Sequence, residues 1–148
     1  MSREEKAAEL FKKGYNCAQS VAVAFCEETG LSEEQAAKLV SGFGGGIGRM
    51  REVCGAVSGM VFVLSMIKGY SDPKERDGKR DLYATIQTLA GKFKEKEGSL
   101  VCRDLLLGTG ADASPTPEER TAEYYKKRGC VGCVECAAGI LDEYLARV

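Results

Sequence analysis

The sequence has no histidine and no tryptophan, and only three of its 148 residues are proline. Without histidine there is no imidazole general base, no Ser–His or Cys–His dyad, and no histidine-ligated zinc or haem. Chemistry must run on Cys, Asp/Glu, Lys/Arg, Tyr, Ser/Thr or a bound cofactor. An excess of charge of one sign is also missing. The 21 Lys and Arg nearly balance the 22 Asp and Glu, which leaves no overall basic bias toward nucleic acid or a membrane surface. The longest apolar run, Val53 to Ile67, contains Gly55 and Gly59 and falls short of the about 20 residues that a membrane span needs. The opening Met-Ser-Arg-Glu-Glu-Lys is acidic where a signal peptide is basic and then apolar. The expectation is one domain over residues 1–148, cytoplasmic, with no membrane insertion.

What the chain does have is glycine, 18 residues, and cysteine, seven. In a reducing compartment that many cysteines point to metal binding or redox chemistry rather than to disulfide staples.

Patterning predicts helices throughout. Ser2 with Glu5 and Ser32 with Gln35 read as capping boxes, and Asn16 as a further N-cap. The first helix runs to Lys13, the second from Cys17 to Glu28 with Gly30 as its stop, and the third to about Ser41. The stretch Gly42-Phe43-Gly44-Gly45-Gly46-Ile47-Gly48 is too glycine-rich for stable helix and reads as a turn. Val53 to Ile67, apolar all round, is predicted as a buried central helix. Asp72-Pro73 opens a long charged helix to Gly98, a short one covers Ser99 to Leu107, and Gly108 to Pro115 is a loop. A helix from Thr116 breaks at Gly129, and the last begins between Cys130 and Cys136. The fold class is all-α, a single-domain bundle of six or seven helices with the glycine turn before the central one.

Helical phase sorts the cysteines. Cys17 is followed on its own face by Val21 and Ala24, Cys54 by Ser58 and Val61, and Cys130 by Val134 and Ala137; Cys102 has Leu105 and Leu106 beside it. These four point inward from four different helices. Any one alone reads as a small core hydrophobe. Together they could meet at one point, where four thiolates suit tetrahedral zinc or an iron–sulfur cluster and two close pairs suit thiol–disulfide exchange. Cys133 has apolar company, Cys136 a mixed face, and Cys26 ends its helix near Glu27 and Glu28. The run Cys130-x-x-Cys133-x-x-Cys136 lacks the fourth cysteine and proline of the bacterial ferredoxin pattern. With no second Cys-x-x-Cys and no histidine, it is neither a zinc ribbon nor a c-type haem site. At a helix start the first thiol of such a run is stabilised as thiolate, so Cys130 with Cys133 is the expected attacker and resolver.

The glycine turn fails as a phosphate loop, since no Gly-Lys-Ser/Thr follows it and G-x-G-x-x-G cannot be placed on it. It reads as a turn allowing close backbone approach, in a position to lie against the sulfurs and tune them. Gly44, Gly45, Gly46 and Gly55 are accordingly the expected backbone contacts of any cofactor. Gly55 and Gly59 form a small-residue stripe on which another helix can pack. The run Tyr124-Tyr125-Lys126-Lys127-Arg128 is too short to read as a nucleic-acid surface, and no such partner is expected.

Taken together, Gly14-Tyr15-Asn16-Cys17-Ala18-Gln19, Gly42-Phe43-Gly44-Gly45-Gly46, Cys54-Gly55-Ala56-Val57-Ser58-Gly59, Cys102-Arg103-Asp104-Leu105-Leu106, and Cys130 with Val134, Ala137 and Ala138 resemble the C_GCAxxG_C_C family of redox-active proteins. The resemblance runs from Gly14 to Ala138. It implies that Cys17, Cys54, Cys102 and Cys130 are the family cysteines, serving as redox-active residues or metal ligands. Cys26, Cys133 and Cys136 are additional, the last two as extra thiols. It also resembles the helical part of split-Soret cytochromes, which implies an iron–sulfur site. No haem role is implied, because the haem-binding histidines are absent. The leading reading is a redox protein with an unidentified redox partner. The alternatives are a structural zinc site and a helical interaction module with core cysteines. A homodimer, formed where the glycine turn and Cys136 meet a surface, is a further expectation.

Overall fold

The computed structural model describes all residues, 1–148. It consists of nine α-helices with no sheet. In chain order these are α1 (Arg3–Lys12), α2 (Cys17–Ala24), α3 (Cys26–Thr29), α4 (Glu33–Leu39), α5 (Gly55–Lys68), α6 (Arg76–Glu97), α7 (Cys102–Leu105), α8 (Ala122–Lys127) and α9 (Cys130–Leu145), with a 3-10 turn at Ser41–Phe43. The all-α reading holds. The helix number rises because the expected Cys17–Glu28 helix breaks at Phe25, and because α3 and α7 are single turns. No helix is long and apolar enough to cross a membrane.

The helix starts follow from local chemistry. Asn16 and Ser32 each accept from the backbone N–H three residues on, while Gln19 and Gln35 reach back to the cap N–H, so both are reciprocal capping boxes. Ser2 caps α1 through the N–H of Glu5. Two expected starts move. Asp72 turns its carboxylate to the N–H of Lys74, which makes a local turn, and α6 begins only at Arg76. The helix expected from Thr116 begins at Ala122 with Thr121 as its cap, because Ser114, Thr116 and Glu118 are held by arginines across the site.

The core is organised around α2, which packs against α1, α4, α5 and α9. Ala18 and every residue from Ser20 to Phe25 are fully buried, and the one polar group among them, Ser20, donates to the carbonyl of Asn16 at 2.8 Å. The first ten residues of α5 share this centre. Beyond Leu64 the helix emerges, leaving Met66 and Ile67 exposed. Close packing of α2 on α5 needs the glycine stripe: a Cβ on Gly59 would stand 2.8 Å from the carbonyl oxygen of Ala18, and one on Gly55 3.1 Å from Cβ of Cys17. Phe11, Phe25, Met60, Phe93 and Leu141 fill the space between helices. Each contributes about 1.5–3 kcal/mol of burial.

Between the 3-10 turn and α5 the chain reverses its handedness. Gly45, Gly46, Ile47, Gly48, Arg49 and Arg51 all have φ between 55° and 73°. This is the left-handed region, costly for a β-branched residue such as Ile47. The coil is held by N–H donations from Gly48 to Gly42, Arg51 to Gly45 and Glu52 to Gly46. It then pairs with the segment before α7: Cys54 N–H donates to Leu100, Cys102 N–H to Glu52 and Arg103 N–H to Arg51, flanking a bridge between Val53 and Val101.

Candidate functional site

A cavity of about 440 Å³ opens where the starts of α2, α5, α7 and α9 converge. Each of these starts carries a cysteine. Cys17, Cys102 and Cys130 are the first residues of α2, α7 and α9, and Cys54 immediately precedes α5. All four line the cavity, and Cys133, one turn into α9, makes a fifth. Cys26 and Cys136 lie elsewhere. Burial and the carboxylate of Glu33 push the Cys26 thiol up, while burial and Glu97 push Cys136 up to about 11.

The sulfurs pair across helices rather than along one. Cys17 lies beside Cys130 and Cys54 beside Cys133, each thiol being the main influence on its neighbour's acidity. The expected pair Cys130 with Cys133 is therefore not the one formed. Both residues sit on α9, but Cys130 turns to α2 and Cys133 to α5. In the first pair the proton stays with Cys17: the neighbouring Cys130 and its burial raise it well above the usual thiol range. The same proximity lowers Cys130 to about 7, against the opposing effect of burial and with help from Arg128, Arg51 and Arg120. In the second pair Cys133 holds the proton and Cys54 is lowered, with the N–H groups of Ala56 and Val57 adding to the effect. The Cys133 thiol also reaches Oε1 of Glu97 at 3.5 Å. The two pairs differ in access, since Cys17 and Cys130 are half-buried while Cys54 and Cys133 are buried.

Cys102 has no thiol partner. Its sulfur accepts from Nη1 of Arg51 at 3.7 Å, and burial raises it more than this cation lowers it. The glycine turn lies directly behind it: a Cβ on Gly46 would come within 2.7 Å of Cβ of Cys102. Gly44 is equally constrained by the Asn16 side chain, at 2.4 Å. Gly44, Gly45, Gly46 and Gly55 thus line the cavity.

Arginines complete the walls, and these the sequence reading missed. Arg49 and Arg128 both bind the carboxylate of Glu118, Arg49 at 3.3 Å. Arg120 spans back to the carbonyls of Phe11 and Tyr15, at 2.7 and 3.0 Å, with its guanidinium stacked 4.2 Å from the Phe11 ring centre. Arg51 donates through Nε to the carbonyl of Asp112 at 2.9 Å. The basic aromatic run on α8 is consumed here as well: Arg128 is buried against the Tyr124 ring. The only local signal was the placement of Arg49 and Arg51 between a glycine turn and a cysteine.

Tetrahedral metal needs three or four donors around one point. No group of three or more Cys, Asp or Glu side chains is arranged to hold an ion. The sulfurs stand by twos, and the odd one, Cys102, already accepts from the Arg51 guanidinium. This arrangement does not fit a bound metal or cluster.

Among known proteins, the model of the family described as "Putative redox-active protein (C_GCAxxG_C_C)" matches residues 15–144. A protein of Archaeoglobus fulgidus described as "Uncharacterized protein" is 31% identical over 111 residues, which cover 69% of this chain and 72% of that one. No solved structure matches.

Proposed function

The chain belongs to the C_GCAxxG_C_C family of redox-active proteins, and from that premise we propose that it works by thiol–disulfide exchange through two dithiol pairs. The observation that carries this reading is the cross-helix pairing of Cys17 with Cys130 and of Cys54 with Cys133 in one cavity. Exchange needs a thiolate, a resolving thiol within reach and an approach for the substrate sulfur. Cys130 supplies the thiolate, Cys17 the resolving thiol, and the half-buried position of both the approach.

In the first step the Cys130 thiolate attacks one sulfur of a substrate disulfide. A Cys130–substrate bond forms, the substrate S–S bond breaks, and the departing thiolate takes a proton. Cys17 then attacks the Cys130 sulfur and gives its proton to the second departing thiolate. The products are a Cys17–Cys130 disulfide and two substrate thiols, a balanced two-electron transfer. The second pair lines the same cavity. It can take up the oxidation by the same exchange, leaving a Cys54–Cys133 disulfide and restoring the thiols of the first.

Equilibration of the pure protein in dithiothreitol buffers of graded potential, with free thiols counted by mass after alkylation, tests this. The expected result is reversible loss of thiols in steps of two, at Cys17 with Cys130 and at Cys54 with Cys133. A thiol count unchanged across all buffers overturns the reading.

A further inference from the structure

Arg51 is the most constrained charged residue of the chain. Its backbone is left-handed, with φ of 62°, and is fixed on both sides by its N–H donation to Gly45 and by the N–H of Arg103 donating to its carbonyl. Such an arrangement persists only where the surroundings enforce it. The side chain is only 6% exposed and lines the sulfur cavity. Nε is satisfied by Asp112 and Nη1 by the Cys102 sulfur, but Nη2 is buried with no hydrogen-bond partner, the one such side-chain atom in the protein. What the buried guanidinium offers the cavity is therefore its uncompensated positive charge.

The other groups around the cavity bias what that charge can attract. Four guanidiniums line it, from Arg49, Arg51, Arg120 and Arg128, against a single carboxylate, that of Glu118. Glu118 is already shared between Arg49 and Arg128. The N–H groups of Gly44, Gly45 and Gly46 donate to no backbone carbonyl, and all three glycines line the same wall. The volume, about 440 Å³, is that of a small-ligand site.

We infer that this cavity takes a small disulfide carrying a carboxylate, with the carboxylate in the field of Arg51 and the neighbouring guanidiniums and the disulfide sulfur in front of Cys130. The inference rests on the exchange reading and names its substrate class: a low-molecular-weight anionic disulfide and, in reverse, the anionic thiols it yields. Bonds and protons balance as in the exchange above, the small disulfide being the oxidant and the Cys17–Cys130 dithiol the reductant. Arg51 is a binding residue in this scheme. It also helps lower Cys130, so its substitution changes overall thiolate reactivity, and only the preference between substrates reports the binding role.

The experiment compares three disulfides of similar length on the fully reduced protein: dithiodipropionate (anionic), 2-hydroxyethyl disulfide (neutral) and cystamine (cationic). Each oxidation rate is divided by the rate of the same disulfide with free 2-mercaptoethanol. The expected normalised rate for dithiodipropionate is about tenfold above the neutral probe, with cystamine lowest. In Arg51→Gln that preference falls to within about twofold while the neutral probe still reacts. Should Arg51→Gln not fold, the wild type decides. Suberate, the same dicarboxylate with methylenes for sulfurs, slows alkylation of Cys130, whereas 1,8-octanediamine does not. Equal normalised rates for the three probes, a preference that survives Arg51→Gln, or absence of protection by suberate overturns the inference and leaves exchange standing. No reaction with any of the three removes the exchange reading and the inference with it.

Discussion

Cys17 and Cys130, the first residues of α2 and α9, come from opposite ends of the chain to lie beside each other in one cavity, and the proton they share stays with Cys17. This pair loses its first proton near 7, where an isolated thiol holds it to about 9. As pH falls through 7 the Cys130 thiolate is protonated and reactivity is lost; above 8 it is saturated. Alkylation of Cys130 by iodoacetamide, followed by peptide mass, is expected to titrate with a midpoint of about 7. Cys17→Ala removes the donor and moves the midpoint up, whereas Cys17→Ser, which still donates, retains most of the depression. A midpoint unmoved by Cys17→Ala would show that the arginines alone hold the thiolate.

Oxidation by diamide is expected to produce Cys17–Cys130 and Cys54–Cys133, read as cross-linked peptides after digestion. Cys26, Cys102 and Cys136 stay reduced, because none has a thiol partner in the structure. A dominant Cys130–Cys133 link would contradict the observed pairing.

That outcome bears on what could be read from the sequence. Helical phase was enough to bring Cys17, Cys54, Cys102 and Cys130 to one cavity wall each, since Val21, Val61, Leu105 and Val134 share their faces. It was not enough to choose partners. Cys130 and Cys133 look paired along the chain, yet a one-turn step leaves them facing different helices, and that choice depends on how α2 and α5 lie on α9. Caps were legible at Asn16 and Ser32, where the whole motif is local. The starts at Asp72 and Thr116 were not, because Asp72 satisfies Lys74 and the segment around Glu118 is held by Arg49, more than sixty residues away. Beyond the place of Arg49 and Arg51 next to the glycine turn, the arginines carry no local pattern, and only the tertiary fold brings Arg120 and Arg128 to the sulfurs.

Gly46→Ala is expected to cost about 2 kcal/mol or more, read by urea unfolding, because a side chain there is strained at a φ of 73° and meets Cβ of Cys102 at 2.7 Å. Gly55→Ala, with its nearest neighbour at 3.1 Å and no left-handed backbone, should cost less. The reverse order would mean that the turn is free to move away from the sulfurs.

Arg120→Ala removes two donations to carbonyls and the stacking on Phe11, an expected loss of about 2 kcal/mol. Arg120→Lys should recover only part of it, since an ammonium cannot reach both carbonyls with a fixed fork. Full recovery by lysine would assign Arg120 a role of charge alone.

The span of Arg120 ties two regions remote in sequence. The carbonyls it grips belong to Phe11, near the end of α1, and to Tyr15, in the turn that leads to α2, while α1 also packs against α9. No sulfur lies on α1, yet it is the floor on which both the last helix and the arginine wall are seated. Trimming the first dozen residues would therefore be felt as a change in thiol chemistry, although every cysteine would still be in the chain.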